Sequence, residues 1–274
     1  MKRGVGLLGL VAVVVPWAGV LAAGLLLGGC AQTDEGSMAS GDIPTASDET
    51  EARRRARIRM ELAVGYFEQG KTAVALDELK QVIAADPTFS DAHNLRGLVY
   101  MRLNDAGQAE ESFKRAVALN PRDASATHNL GWLLCQQRRF PEADRSFDQA
   151  LANPIYPDRA KTLMAKGLCQ SQAGQPAEAE KSLAHAYEID AGNPIVGYNL
   201  AALLYKRGEL ARSQFLIRRL NNSQLANAET LWLGVKVERR LGDRLAMGQL
   251  GDQLKRRFPQ SREAAALDRG AFDE

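Results

Sequence analysis

From Ala56 onward, small, large and turn-forming residues recur every 34 positions along the chain. The first block carries Leu62, Ala63, Tyr66, Gly70, Ala75, Leu79, Val82 and Pro87. The second, from Ser90, repeats the pattern with Gly97, Tyr100, Ala109, Phe113, Ala116 and Pro121, although Arg96 stands where the first block has Leu62. The third, from Ala124, supplies Leu130, Gly131, Ala143, Phe147 and Ala150, with its proline one position early at Pro154. Asp158 and Arg159 are then extra, and the register resumes at Ala160 with Gly167, Gly174, Ala179, Leu183 and Ala186. Two further blocks, from Pro194 and Ala228, are more divergent: Ser213 replaces the expected alanine, and Gly251 replaces the expected large residue. Each block reads as a helical hairpin. Its small residues let two antiparallel helices approach, its large residues fill the space between hairpins, and proline ends the second helix because it cannot continue the hydrogen-bond ladder.

The pattern resembles the tetratricopeptide repeat, whose period is 34 residues. The resemblance implies an all-α, right-handed superhelical solenoid of six repeats, at 56–89, 90–123, 124–157, 160–193, 194–227 and 228–261, followed by a tail at 262–274. No hairpin buries its apolar face alone, so stacking creates the continuous core and a concave groove. In this family the second, fifth, ninth and twelfth positions of each first helix face the groove. Here they place Met60, Val64 and Phe67, then Asn94, Leu98 and Met101, then His128 and Trp132 on its floor, with Met164, Leu168, Tyr198, Tyr205 and Trp232 further along. Large apolar side chains in a groove mark a partner site, and methionines and aromatics adapt well to a peptide. Around Trp232 the character changes, because Lys236, Arg239 and Arg240 surround it and suit either an acidic partner segment or a solvated face.

The residues ahead of the repeats are of another kind. Met1-Lys2-Arg3 is followed by an uncharged run from Gly4 to Gly29, long enough to cross a bilayer or to serve as a secretory signal. The run ends in Leu27-Gly28-Gly29-Cys30, which resembles the bacterial lipobox. This implies a signal peptide at 1–29 and acylation of Cys30, and Ala31 in the next position implies sorting to the outer membrane. Several acyl chains acting together anchor stably. The small, polar and acidic stretch that follows reads as a tether, so 30–55 is assigned to the acylated cysteine and its linker. Arg53 to Arg59 is rich in arginine and allows either contact with anionic headgroups or a solvated first helical turn.

Charge narrows the function further. Lys and Arg number 35 against 33 Asp and Glu, and the surplus, Lys2 and Arg3, falls in the signal segment. A nucleic-acid binder ordinarily keeps a basic excess in its folded part, so nucleic acid is not expected as a partner. The three histidines fall in different repeats without metal-ligand spacing, and neither a phosphate loop nor a nucleophile pair with an orienting third group is found. A non-enzyme is expected, with no cofactor, metal or small-molecule substrate. Cys135 and Cys169 lie on the first helices of neighbouring repeats, which run side by side. They form either a bridge, in an oxidising compartment, or two inert buried thiols.

Some segments are more specific than the generic repeat. Asn129-Leu130-Gly131-Trp132-Leu133-Leu134-Cys135, Asn153-Pro154-Ile155-Tyr156-Pro157 and Gly167-Leu168-Cys169 resemble the type IV pilus biogenesis and stability lipoproteins, the PilF/PilW-type pilotins. Leu231-Trp232-Leu233-Gly234 and Arg257-Phe258-Pro259-Gln260-Ser261 do so as well. The resemblance implies an outer-membrane, periplasm-facing lipoprotein that holds a segment of the pilus secretin in its groove and supports secretin multimerisation. It also implies a disulfide between Cys135 and Cys169. The alternative is a general periplasmic scaffold for envelope or cell-wall assembly.

Overall fold

The computed structural model describes residues 50–272. Among these the chain is a run of thirteen α-helices without a strand: α1 Glu51–Glu68, α2 Thr72–Ala85, α3 Ser90–Arg102, α4 Ala106–Leu119, α5 Ala124–Gln136, α6 Phe140–Leu151, α7 Arg159–Gln172, α8 Pro176–Ile189, α9 Pro194–Arg207, α10 Leu210–Asn221, α11 Ala228–Leu241, α12 Arg244–Arg257 and α13 Arg262–Arg269. The first twelve pair as the six hairpins of a tetratricopeptide solenoid. Two boundaries differ from expectation. Helix α1 starts at Glu51, ahead of Ala56, because Thr50 caps it by accepting a hydrogen bond from the Arg53 amide. Its arginines are built into the array: Arg53 pairs with Asp86 and lies over Phe89, and Arg59 reaches Glu78. The expected tail holds α13, which Ser261 caps by accepting from the Ala264 amide.

Within each hairpin the small-against-large logic is literal. A Cβ added to Gly97 would collide with the Phe113 ring, and one added to Gly167 would stand 2.7 Å from Leu183. The buried alanines Ala75, Ala109, Ala143 and Ala179 line the same seam. The turn between the two helices needs a left-handed residue in every repeat. Gly70, Gly174, Gly208 and Gly242 supply it in four, while Asn104 and Arg138 hold φ near 60° in the other two.

The departures from the repeat pattern each have a physical cause. The Arg96 Nε donates to Ser112 Oγ across its hairpin at 2.9 Å. Ser213 is fully buried but donates to the Ala201 carbonyl at 2.8 Å, so its hydroxyl is not left unpaired. Gly251 leaves the space that Leu267 of α13 enters, approaching to 3.1 Å of where a Cβ would lie. Leu62 is a correction. The pattern puts it in the core, but it is 48% exposed, with Ile58 51% exposed beside it, because among the described residues no hairpin packs on that face of α1.

First helices touch one another along the stack, α1 with α3, α3 with α5, α5 with α7 and α9 with α11, and α13 continues the series against α11. Successive second helices make no comparable contact. The first helices therefore form the inner wall and the second helices the outer one.

Candidate functional site

The N-terminal part of the inner wall brings most of the expected floor together. Met60, Phe67 and Leu98 are half-buried and pack on one core cluster that includes Ala63, Leu79 and Val99. Leu98 continues, with Met101, onto the next cluster around Ala109 and Phe113. Val64 is the most open of the set, 37% exposed. These five side chains make one apolar strip running across α1 and α3. Phe67 has a cover that sequence reasoning missed: the Arg102 guanidinium lies 3.7 Å from its ring centroid and donates to its carbonyl at 2.5 Å. Asn94 is a polar rung rather than an apolar one, accepting from the Asn129 side-chain amide at 3.0 Å. Trp132 is half-buried on a separate cluster with Leu134 and Phe147.

His128 is not on the floor. It is buried, its Nδ1 lies 2.8 Å from Thr162 Oγ1, and its ring packs 5.8 Å from that of Phe147. The loop between α6 and α7 closes over this face, since Tyr156 is buried and its hydroxyl lies 3.4 Å from the same Thr162 oxygen. Burial pushes the imidazole down to about 4; nearby Lys161 adds to the effect and Asp158 opposes it. The neutral ring is favoured by folding. Its contribution is complete above the unfolded value near 6.5 and is lost as pH falls from there to about 4. Acidifying from pH 7 to 4 is expected to cost about 3 kcal/mol through this group. Urea unfolding at the two pH values checks this, with His128→Gln expected to flatten the dependence.

Cys135 and Cys169 are joined in a disulfide, with Cα atoms 5.8 Å apart. The bond links α5 to α7, the first helices of the third and fourth hairpins, on either side of α6 and the 152–158 loop. In that loop Tyr156 is buried while Ile155 is 85% exposed, beside a cavity of about 620 Å³ bounded by Pro121, Thr127, Gln149 and Pro154.

The C-terminal part of the inner wall is occupied. The repeat pattern puts Trp232 on the open floor, but it is only 7% exposed, because Phe272 stacks on it at 5.3 Å and 25°. Next to this stack is a cavity of about 410 Å³ lined by Tyr198, Lys236, Arg262 and Ala266. The Lys236 ammonium lies 5.6 Å from the Trp232 ring and 5.8 Å from that of Tyr205. Burial first, and Lys206 second, press it toward losing its proton.

Among the described residues, no group of three or more His, Cys, Asp or Glu is arranged to hold a metal ion. No described helix is long and apolar enough to cross a membrane. The expected signal peptide, Cys30 and most of the tether lie outside the described residues.

The same architecture occurs in known proteins. Tetratricopeptide repeat models match residues 60–124, 128–194 and 171–230. The type IV pilus assembly protein PilF of Pseudomonas aeruginosa is 30% identical over 233 residues, covering 83% of this chain and 90% of that protein. A solved structure of P. aeruginosa PilF superposes with a TM-score of 0.74 at 27% identity, over 81% of this chain and all of that one. The structure of PilW, described as a widely conserved type IV pilus biogenesis factor, gives 0.69 at 28% identity over 77% of this chain and 97% of its own. With repeat period, fold and near full-length similarity in agreement, the chain belongs to the PilF/PilW family of tetratricopeptide-repeat proteins of type IV pilus biogenesis.

Proposed function

We propose that this protein is a non-catalytic outer-membrane lipoprotein that captures a segment of the type IV pilus secretin and supports its localisation and multimerisation. The apolar strip of Met60, Val64, Phe67, Leu98 and Met101 on the inner wall carries this reading. A half-buried apolar strip between polar flanks suits a strand or an amphipathic helix laid against it. Acylated Cys30 supplies membrane attachment, residues 31–50 supply reach, and the solenoid supplies the grip. No bond is made or broken in that role, and similarity to PilF and PilW directs it to the pilus.

Met60→Glu and Leu98→Glu each put a carboxylate where the partner must be dry. Capture of the secretin in a pull-down is expected to weaken by about a hundredfold or more. Circular dichroism should keep its helical signal in both. Undiminished capture by both variants would mean that the strip is not the site. Palmitate labelling lost in Cys30→Ala would report the anchor. Normal secretin multimers in a deletion strain would instead favour a general envelope scaffold.

A further inference from the structure

We propose that the outward face of α1, carrying Arg54, Arg55, Ile58 and Leu62, rests in the headgroup region of the phospholipid bilayer and turns the capture strip on the same helix away from the lipid. The proposal rests on the reading of Cys30 as a lipid anchor and adds a second, peripheral contact to it. The first observation is the make-up of that face. At about 3.6 residues per turn, Arg54, Ile58 and Leu62 fall in one line, with Arg55 and Gly65 beside it. Ile58 is 51% exposed and Leu62 48%, and no described hairpin packs on them. Two aliphatic side chains thus stand in a row, with arginine one turn ahead. An interfacial helix needs that order: aliphatic carbon enters the acyl boundary, while guanidinium groups on long stems stay level with phosphate.

The second observation is how the arginines of this helix divide. Arg53 pairs with Asp86 and lies over Phe89, and Arg59 reaches Glu78 at 2.8 Å, so these two serve the fold. Arg54 meets Glu51 at 2.6 Å and Arg57 meets Glu61 at 3.7 Å, and both carboxylate side chains are 70% exposed. Surface pairs of that kind are weak in water and exchange readily for lipid phosphate. Arg55 is exposed and makes no ion pair with a described residue.

The third is where the chain leads, and it selects the bilayer as occupant. Residues 31–49 separate Cys30 from the described residues, a link of at most about 65 Å even when fully extended. The chain enters α1 at Glu51, one turn ahead of Arg54 and Arg55, so this face begins where the link from the anchor ends. Such a link raises the local concentration of lipid, and a contact too weak to hold a free protein on a membrane then suffices. Met60 and Phe67 lie nearly half a turn away from the line of Ile58 and Leu62, packed on the inner-wall cluster. Lipid on one side of α1 leaves the other side open to a guest.

The test places the acylated full-length chain on vesicles of phosphatidylethanolamine and phosphatidylglycerol that also carry a nitroxide-labelled phospholipid. Gly65→Cys receives a fluorescent thiol label, since a Cβ there meets nothing within 4 Å and Cys135 and Cys169 are bonded to each other. Gln249→Cys, exposed on α12, is the control site. The label at 65 is expected to lose about half its emission or more to nitroxide placed just below the headgroups, and the label at 249 to lose none. Adding Ile58→Glu and Leu62→Glu should abolish the quenching while the protein still floats with the vesicles and circular dichroism keeps its helical signal. Vesicle-bound protein whose label at 65 is not quenched would overturn the proposal and leave the anchor standing. Protein that carries no palmitate and does not float would remove the anchor, and the proposal with it. A label shielded from aqueous iodide yet not quenched by lipid would show that a second copy, or residues ahead of Thr50, covers the face, which would overturn it as well.

Discussion

Replacing both Cys135 and Cys169 with alanine is expected to lower unfolding stability by about 4 kcal/mol, since their bond closes a loop of sequence separation 34. The effect should be more than a shift of midpoint. The bond ties α5 to α7 across the junction where the inserted residues break the 34-residue register. In a solenoid each repeat is supported by its neighbours, so weakening one junction lets the two sides unfold separately. Urea unfolding of the double variant should broaden or split, and reductant should bring the wild type to the same curve. A single sharp transition at the wild-type midpoint would show that the bond contributes little.

The second large effect concerns a buried carboxylate. Glu238 is wholly inaccessible and accepts from Arg218 Nε and Gln214 Nε2, each at 2.7 Å. Arg218→Met removes the cation while leaving the charge in the interior, and is expected to cost about 3 kcal/mol. That is the low end for a broken buried pair, because the Arg218 side chain is itself nearly half in water. Arg218→Met combined with Glu238→Met should recover most of the loss, because an apolar pair of similar size needs no compensation. Chemical denaturation of both single variants, the double variant and the wild type completes the cycle. Equal losses for Arg218→Met and the double variant would assign the cost to packing instead.

The fold was legible because its signal is repeated. Glycines at the turn, alanines along the seam and prolines after the second helix each follow from a backbone or packing requirement that any hairpin must meet. Even Arg138 and Asn104 keep the left-handed turn that glycine makes elsewhere. The candidate strip was legible where it depends on a generic face: Met60, Phe67, Leu98 and Met101 are half-buried on the first-helix wall.

It was not legible where a distant segment decides. His128 occupies a groove position in the repeat pattern, but Thr162 and the loop residue Tyr156 enclose it. Trp232 likewise reads as open floor until α13 and Phe272 are placed over it. Glu238 looks like a solvated helix charge, since its partners Arg218 and Gln214 lie on another helix. No periodicity encodes those meetings. A hint did exist for α13: Gly251 vacates a position that every earlier repeat fills, and Leu267 takes the space.

The exposed Ile58 and Leu62 give the array a direction. Among the described residues α13 packs against the last hairpin, whereas Ile58 and Leu62 of α1 are about half exposed. Amide protons in α1 and α2 should therefore exchange earliest, with protection building toward the middle of the stack. The proposed secretin strip is built on this least protected hairpin, so a guest that settles there also slows the opening of the helix it rests on. Capture and local rigidity would then rise together, and the grip would be firmest only once filled.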